Sequence, residues 1–148
     1  MNRLGRILLV EDDPKDVELT QTALDEYHFA NEVVVASDGE QALDYLYYRG
    51  RYAQRERENP AVVLLDLKLP KVDGLEVLRR IRADQRTRVV PVLVLTSSKE
   101  EEDLRAAYDL GANGYVRKPV SFSEFSEAVH TVGLFWLLLN QPPPDPPP

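Results

Sequence analysis

The sequence predicts an α/β protein in which five strand–helix units build a parallel sheet with helices on both faces. Two observations carry this expectation. Five short apolar runs, at residues 7–10, 32–36, 61–65, 91–95 and 114–116, are spread along the 148-residue chain. Most are continuous rather than alternating, as suits strands covered on both sides. Between them lie helical patterns with recognisable starts, and strands alternating with helices imply parallel pairing through right-handed crossovers.

The elements follow in order. Ile7-Leu8-Leu9-Val10 is the first strand, and Asp13-Pro14 behind it reads as an N-cap and first helical residue. Capping-box spacing recurs in Asp38-Gly39-Glu40-Gln41, Asp73-Gly74-Leu75-Glu76, Ser98-Lys99-Glu100-Glu101 and Ser121-Phe122-Ser123-Glu124. Leu75, Leu78 and Ile81 share one face of the third helix, and Gly111 stops the fourth. Five such units predict a flavodoxin-like (βα)5 three-layer sandwich with strand order 2-1-3-4-5. Residues 49–59, charged and containing a glycine, lengthen the link into the third strand as a solvated loop or extra helical turn. The expected domain spans residues 1–140 and includes an extended last helix. The proline-rich tail, residues 141–148, suits polyproline II or disorder.

Composition narrows the function. A formal net charge of −7 argues against a nucleic-acid role by general electrostatics. The chain has no cysteine, which excludes disulfides and thiolate chemistry and agrees with a cytoplasmic setting. No apolar stretch is long enough to span a membrane.

The chemistry lies at the strand ends. In a 2-1-3-4-5 sheet, ligands bind beyond the carboxyl ends of the strands, at the switch point between strands 1 and 3. Asp12 and Asp13 follow strand 1, and Asp66 closes the buried run Ala61-Val62-Val63-Leu64-Leu65. Crowded carboxylates repel one another, and burial raises the cost, so the set calls for a divalent cation with oxygen ligands, magnesium or manganese. A carboxylate nucleophile beside such a cation can form an aspartyl phosphate. Thr96 ends strand 4 with a hydroxyl donor, and Lys118 follows strand 5 with a point positive charge for phosphate. Taken singly, Asp13 is as well explained as a helix cap.

As a set, these residues resemble the receiver domain of bacterial two-component response regulators. The motifs are Val10-Glu11-Asp12-Asp13-Pro14, Leu65-Asp66-Leu67-Lys68-Leu69-Pro70, Asp73-Gly74, Leu95-Thr96-Ser97 and Gly111-Ala112-Asn113-Gly114-Tyr115-Val116-Arg117-Lys118-Pro119. The resemblance implies that Asp66 accepts a phosphoryl group from a sensor kinase histidine. It implies that Asp12, Asp13, Asp66 and the main-chain carbonyl of Lys68 hold magnesium. It further implies that Thr96 and Lys118 contact the phosphoryl oxygens, that Tyr115 changes rotamer as Thr96 moves, and that the Lys118–Pro119 bond is cis. Leu67-Lys68-Leu69-Pro70-Lys71, the lengthened segment and Phe135-Trp136-Leu137 are similar to single-domain regulators paired with phytochrome histidine kinases, which suggests a bacteriophytochrome as donor. Lys68 lies near the path of attacking water, where a long cation would alter the lifetime of the acyl phosphate.

The last helix carries Phe122, Phe125, Val129, Val132, Trp136 and Leu139 on one face, the pattern of core packing. Leu134, Phe135, Leu137 and Leu138 make its final turns apolar on nearly every side, as an interface would be. A homodimer through the helix 4, strand 5, helix 5 face is expected. His28 and His130 lie apart from the acids and read as surface or packing residues. An aspartate-nucleophile phosphatase is the competing function. That chemistry uses a second acid two residues after the nucleophile, where this chain has Lys68, so a phosphoacceptor switch rather than a turnover enzyme is expected.

Overall fold

Five parallel strands form one sheet in the order β2-β1-β3-β4-β5. In this computed structural model, which describes residues 5–118, 121–141 and 143–144, the strands are β1 (Ile7–Val10), β2 (Val33–Ala36), β3 (Val62–Leu65), β4 (Val92–Thr96) and β5 (Gly114–Arg117). The helices between and after them are α1 (Pro14–Glu26), α2 (Gly39–Leu46), α3 (Gly74–Ala83), α4 (Glu101–Asp109) and α5 (Phe122–Gly133). The flavodoxin-like three-layer sandwich expected from the sequence is the observed fold.

Period-two alternation divides the core into two layers. Leu8, Val10, Val63, Leu65, Val92 and Val94 face α2 and α3, and Ala107 of α4 joins them. Ile7, Leu9, Val62, Leu64, Leu93 and Leu95 face the other way, onto Ala23 and Leu24 of α1 and Phe125 and Val129 of α5. Val77, Leu78 and Ile81 of α3 are fully buried, and each such side chain contributes about 1.5–3 kcal/mol. The continuous strand patterns thus reflect burial on both faces.

Most of the expected helix starts are present. Asp13, Asp38, Asp73 and Ser121 each accept a backbone N–H with their side chains at the heads of α1, α2, α3 and α5. Helix α4 departs from the pattern. Its N-cap is Glu100, which makes no side-chain cap bond; Ser98 Oγ, two residues earlier, accepts Glu100 N at 3.3 Å and donates to Asp103 Oδ2 at 2.6 Å. Gly111 ends α4 as expected, with φ of 97°.

The lengthened segment is ordered by stacking. It contains a short 3₁₀ turn, Gly50–Tyr52. The Arg55 guanidinium lies 3.8 Å from the Tyr45 ring centroid and 4.2 Å from that of Tyr48, and Arg57 covers Tyr48 at 4.1 Å. Arg55 also donates to the carbonyls of Tyr45, Glu56 and Glu58.

The last helix does not run on as one α-helix. Past Gly133 the chain winds as a π-helix, Leu134–Leu139, and Asn140 N donates to Phe135 O. Within the π-helix Trp136 and Leu137 still pack partly buried against the α1–α5 core layer, so Leu137, expected at an interface, lies on the core side. Phe125 and Val129 are buried and Val132 and Trp136 partly so, but Phe122 and Leu139 are exposed, Leu139 by 74%. Leu134 and Phe135 are exposed as well. The side chain of Leu138 lies outside the described residues, as do Pro119 with its expected cis bond and, from the tail, residues 142 and 145–148. No described helix is long and apolar enough to cross a membrane.

One glycine ties the core to the sheet edge. Gly74 N donates to Leu67 O, and a methyl group at Gly74 would run into the Asp66 carbonyl oxygen and the Leu67 Cα. Gly74→Ala therefore pushes α3 away from the end of β3. The expected cost is about 1–3 kcal/mol, read as a lower urea midpoint at unchanged m-value.

Candidate functional site

Register brings the acids together. Val10 pairs with Leu65 across β1 and β3, so Glu11 and Asp66, each one residue further on, emerge level at the sheet edge. Their amides stay in the ladder: Glu11 N donates to Ala36 O and Asp66 N to Val10 O. Carboxylate oxygens of Glu11, Asp12 and Asp66 lie within 4.8 Å of one another. Glu11 and Asp66 are buried and Asp12 is exposed, so the cluster opens on the Asp12 side. An all-oxygen set of this kind suits a hard divalent cation, Mg²⁺ or Mn²⁺.

Asp13 is not part of that cluster. Its carboxylate caps α1 by accepting Lys15 N at 2.9 Å, and its own N–H donates to Glu11 Oε2. The acid beside Asp12 at the sheet edge is Glu11. The sequence reading passed over it because Asp12 and Asp13 are alike. Counting one residue past the paired strands, Val10 with Leu65, would have identified it.

Lys118, from the end of β5, reaches into the same edge. Its ammonium donates to Glu11 Oε1, to Asp16 Oδ2 at 2.8 Å and to Asp66 Oδ2 at 2.9 Å. On the other side of Asp66, Thr96 Oγ1 donates to Oδ1 at 2.8 Å, and Lys68 N donates to Oδ1 at 3.3 Å. Both oxygens of the buried carboxylate are therefore engaged, as burial demands. Asp16, in the first turn of α1, is the other residue that sequence reasoning missed.

Burial alone would raise the Asp66 carboxyl. The Lys118 hydrogen bond and charge, with Thr96 and the Lys68 amide, outweigh it and hold Asp66 below the usual carboxylate range. For Glu11 the balance reverses: burial pushes it up to about 7 against the pull of Lys118. Burial would lower the lysine, but Asp16, Glu11 and Asp66 together hold it above its ordinary value. At neutral pH the site thus keeps Asp66 as a carboxylate and Lys118 as an ammonium.

A second network leads away from Thr96. Ser98 N donates to Thr96 Oγ1 at 3.3 Å, Ser98 Oγ donates to Asp103 Oδ2, and Lys68 Nζ lies 3.5 Å from that same oxygen. Tyr115 packs partly buried beside the α2–α3 core layer, and its hydroxyl is buried with no hydrogen-bond partner among the described residues. His130 stacks on Tyr27 with ring centroids 3.8 Å apart, and His28 is an exposed residue at φ 62° just beyond α1; neither contacts the acids.

Residues 7–130 match the response regulator receiver domain family. Response regulator Rcp1 of Synechocystis is 38% identical over 131 residues, 88% of each protein. A Mn²⁺-bound structure of response regulator Rcp1 superposes with a TM-score of 0.88 at 36% identity, covering 95% of this chain and 99% of that one. The phosphorylated cyanobacterial phytochrome response regulator RcpA gives a TM-score of 0.90 at 39% identity, over 96% of this chain and all of that one. The bacteriophytochrome response regulator RtBRR is 55% identical, with a TM-score of 0.78, over 96% of this chain and 86% of that one.

Removing the ammonium exposes the cost of the acids. Lys118→Met leaves Glu11 and Asp66 buried without a counter-charge, at a cost of about 3–5 kcal/mol when both are ionised. Glu11, near 7 with the lysine present, moves further up without it. A folded pKa above the unfolded value means that stability is lost as pH rises. Urea midpoints should therefore fall furthest below wild type at pH 8 and converge toward it at pH 5.5.

Proposed function

Because the chain belongs to the response regulator receiver domain family, we propose that it is a phosphoacceptor switch in two-component signalling, with Asp66 as the acceptor and residues 1–140 as the receiver. The supporting observation is the state of Asp66: a buried carboxylate kept ionised within a three-acid cluster that opens at Asp12. An Asp66 oxygen attacks phosphorus as the phosphorus–nitrogen bond to a kinase histidine breaks. The imidazole leaves with the electron pair and takes up a proton. A divalent cation held by Glu11, Asp12, Asp66 and the Lys68 carbonyl supplies positive charge against the phosphoryl oxygens. Lys118 and Thr96, now on the two Asp66 oxygens, turn to the phosphoryl oxygens.

The donor in this reading is a sensor histidine kinase of the bacteriophytochrome class, in the cytoplasm. The likeness to RtBRR and RcpA supports that class. Lys68, two residues past Asp66, leaves no general acid there, which favours a switch over a turnover phosphatase. Wild type incubated with acetyl phosphate and Mg²⁺, or with the kinase, acquires one acid-stable, base-labile phosphoryl group, and Asp66→Asn acquires none. Labelling of that variant at the wild-type rate would sink the assignment.

Output passes through a homodimer on the α4–β5–α5 face, extended by the last turns of the chain. The support is apolar exposure: Leu134 at 39%, Phe135 at 48% and Leu139 at 74%. Sedimentation at micromolar concentration should give a dimer for wild type and a monomer for the Leu134→Asp, Phe135→Asp double variant. A monomer for both ends the dimer reading.

A further inference from the structure

An ammonium has three donors, and those of Lys118 are divided among Glu11, Asp16 and Asp66. Two of these acceptors, Glu11 and Asp66, belong to the carboxylate cluster suited to a divalent cation, and Asp16 does not. Asp16 also belongs to another layer. It sits in the first turn of α1, where the helix N-terminus favours a carboxylate, and the other two close strands. Its side chain lines a groove with Leu19, Lys118, Phe122 and Phe125 that opens between α1 and α5 beside the cluster.

We propose that Asp16 is a positioning residue: it holds the Lys118 ammonium by a bond that a cation at Glu11, Asp12 and Asp66 does not contest. The inference rests on the phosphoacceptor reading of the site. With Asp16 in place, the lysine gives up Glu11 and Asp66 to the cation and stays anchored from the helix side, facing the phosphoryl position. Without it, the ammonium falls back wholly on Glu11 and Asp66, competes with the cation for them, and leaves the phosphoryl site less well prepared.

The test uses the full chain carrying Asp16→Asn, which keeps the shape and removes the charge. Asp16→Ser is measured in parallel, and Glu18→Gln, on the exposed side of α1, is the charge-matched control. Mn²⁺ affinity by calorimetry is read separately from the rate of labelling by acetyl phosphate at saturating Mg²⁺. Both Asp16 variants should raise the Mn²⁺ Kd about fivefold and slow labelling by a similar factor, since a displaced charge a few ångströms from a cluster shifts such equilibria by that order. Glu18→Gln should change neither. A Kd or a labelling rate within about twofold of wild type overturns the proposal. An equal change in Glu18→Gln overturns it too, because helix charge alone would then suffice. If wild type binds Mn²⁺ but takes no label, the phosphoacceptor reading fails and the Kd comparison still decides the role of Asp16. A wild type that binds no Mn²⁺ overturns both.

Discussion

The site depends on one ammonium set among carboxylates. Lys118 touches Glu11, Asp16 and Asp66, and Asp12 stands on the far side of the same cluster. One positive charge against four acids is not neutral, so the arrangement holds together but remains short of cations. That imbalance makes the sheet edge useful. It leaves a place for a divalent cation at Glu11, Asp12 and Asp66, of which the two most buried, Glu11 and Asp66, share the lysine. The division also explains why two neighbouring carboxyls behave differently. Asp66 has Lys118, Thr96 and an amide and stays ionised, whereas burial outweighs the one strong partner of Glu11 and pushes it up to about 7.

The fold supplies this geometry through register rather than through any local motif. Parallel strands level with one another deliver Glu11 and Asp66 side by side, and β4 and β5 bring Thr96 and Lys118 in from one flank. The packing below is tight where the site sits, because the three central strands β1, β3 and β4 are buried along their whole length, while the edge strands β2 and β5 are only partly covered. At the edge, Gly74 lets α3 seat directly on the Asp66–Leu67 backbone. The Asp66 backbone is thus fixed by α3, and its carboxylate by Lys118 on one oxygen and by Thr96 with the Lys68 amide on the other, the kind of preorganisation that electrostatic catalysis relies on.

Much of this was legible in the sequence because it depends on period and on strand ends. Continuous apolar runs, capping residues and Gly111 gave the element order, and the switch-point rule placed Asp12, Asp66, Thr96 and Lys118 at one edge. What escaped notice was decided by side-chain competition. Asp13 is drawn to the free amide of Lys15 at the head of α1, and Glu11 takes the place at the strand end. Ser98 was expected as the cap of α4; its hydroxyl accepts Glu100 N and donates to Asp103, but the helix begins later, with Glu100 as N-cap. Asp16 looks like an ordinary first-turn acid until β5 sends Lys118 across to it. The π winding after Gly133 likewise has no periodic signature of its own, and it turns the end of the apolar stripe outward.

The two sides of Asp66 are built differently, and the difference bears on how a change there is felt elsewhere. On the Lys118 side the contacts end in carboxylates of the site itself and of α1. On the Thr96 side they run on through Ser98 to Asp103 near the start of α4, which Lys68 also approaches. A hydroxyl that leaves Asp66 Oδ1 for a phosphoryl oxygen would disturb the Ser98 amide bonded to that same hydroxyl, and so the turn leading into α4. Glu100, the N-cap, adds no side-chain bond of its own, so Ser98, through Glu100 N and Asp103, is what holds that turn. Tyr115 lies on the strand beside it with a buried hydroxyl that has no partner among the described residues, so nothing polar pins it in its present rotamer. The Ser98 turn at the head of α4 and the Tyr115 side chain on β5 therefore both lie on the Thr96 side of Asp66, next to the hydroxyl that now bonds its Oδ1.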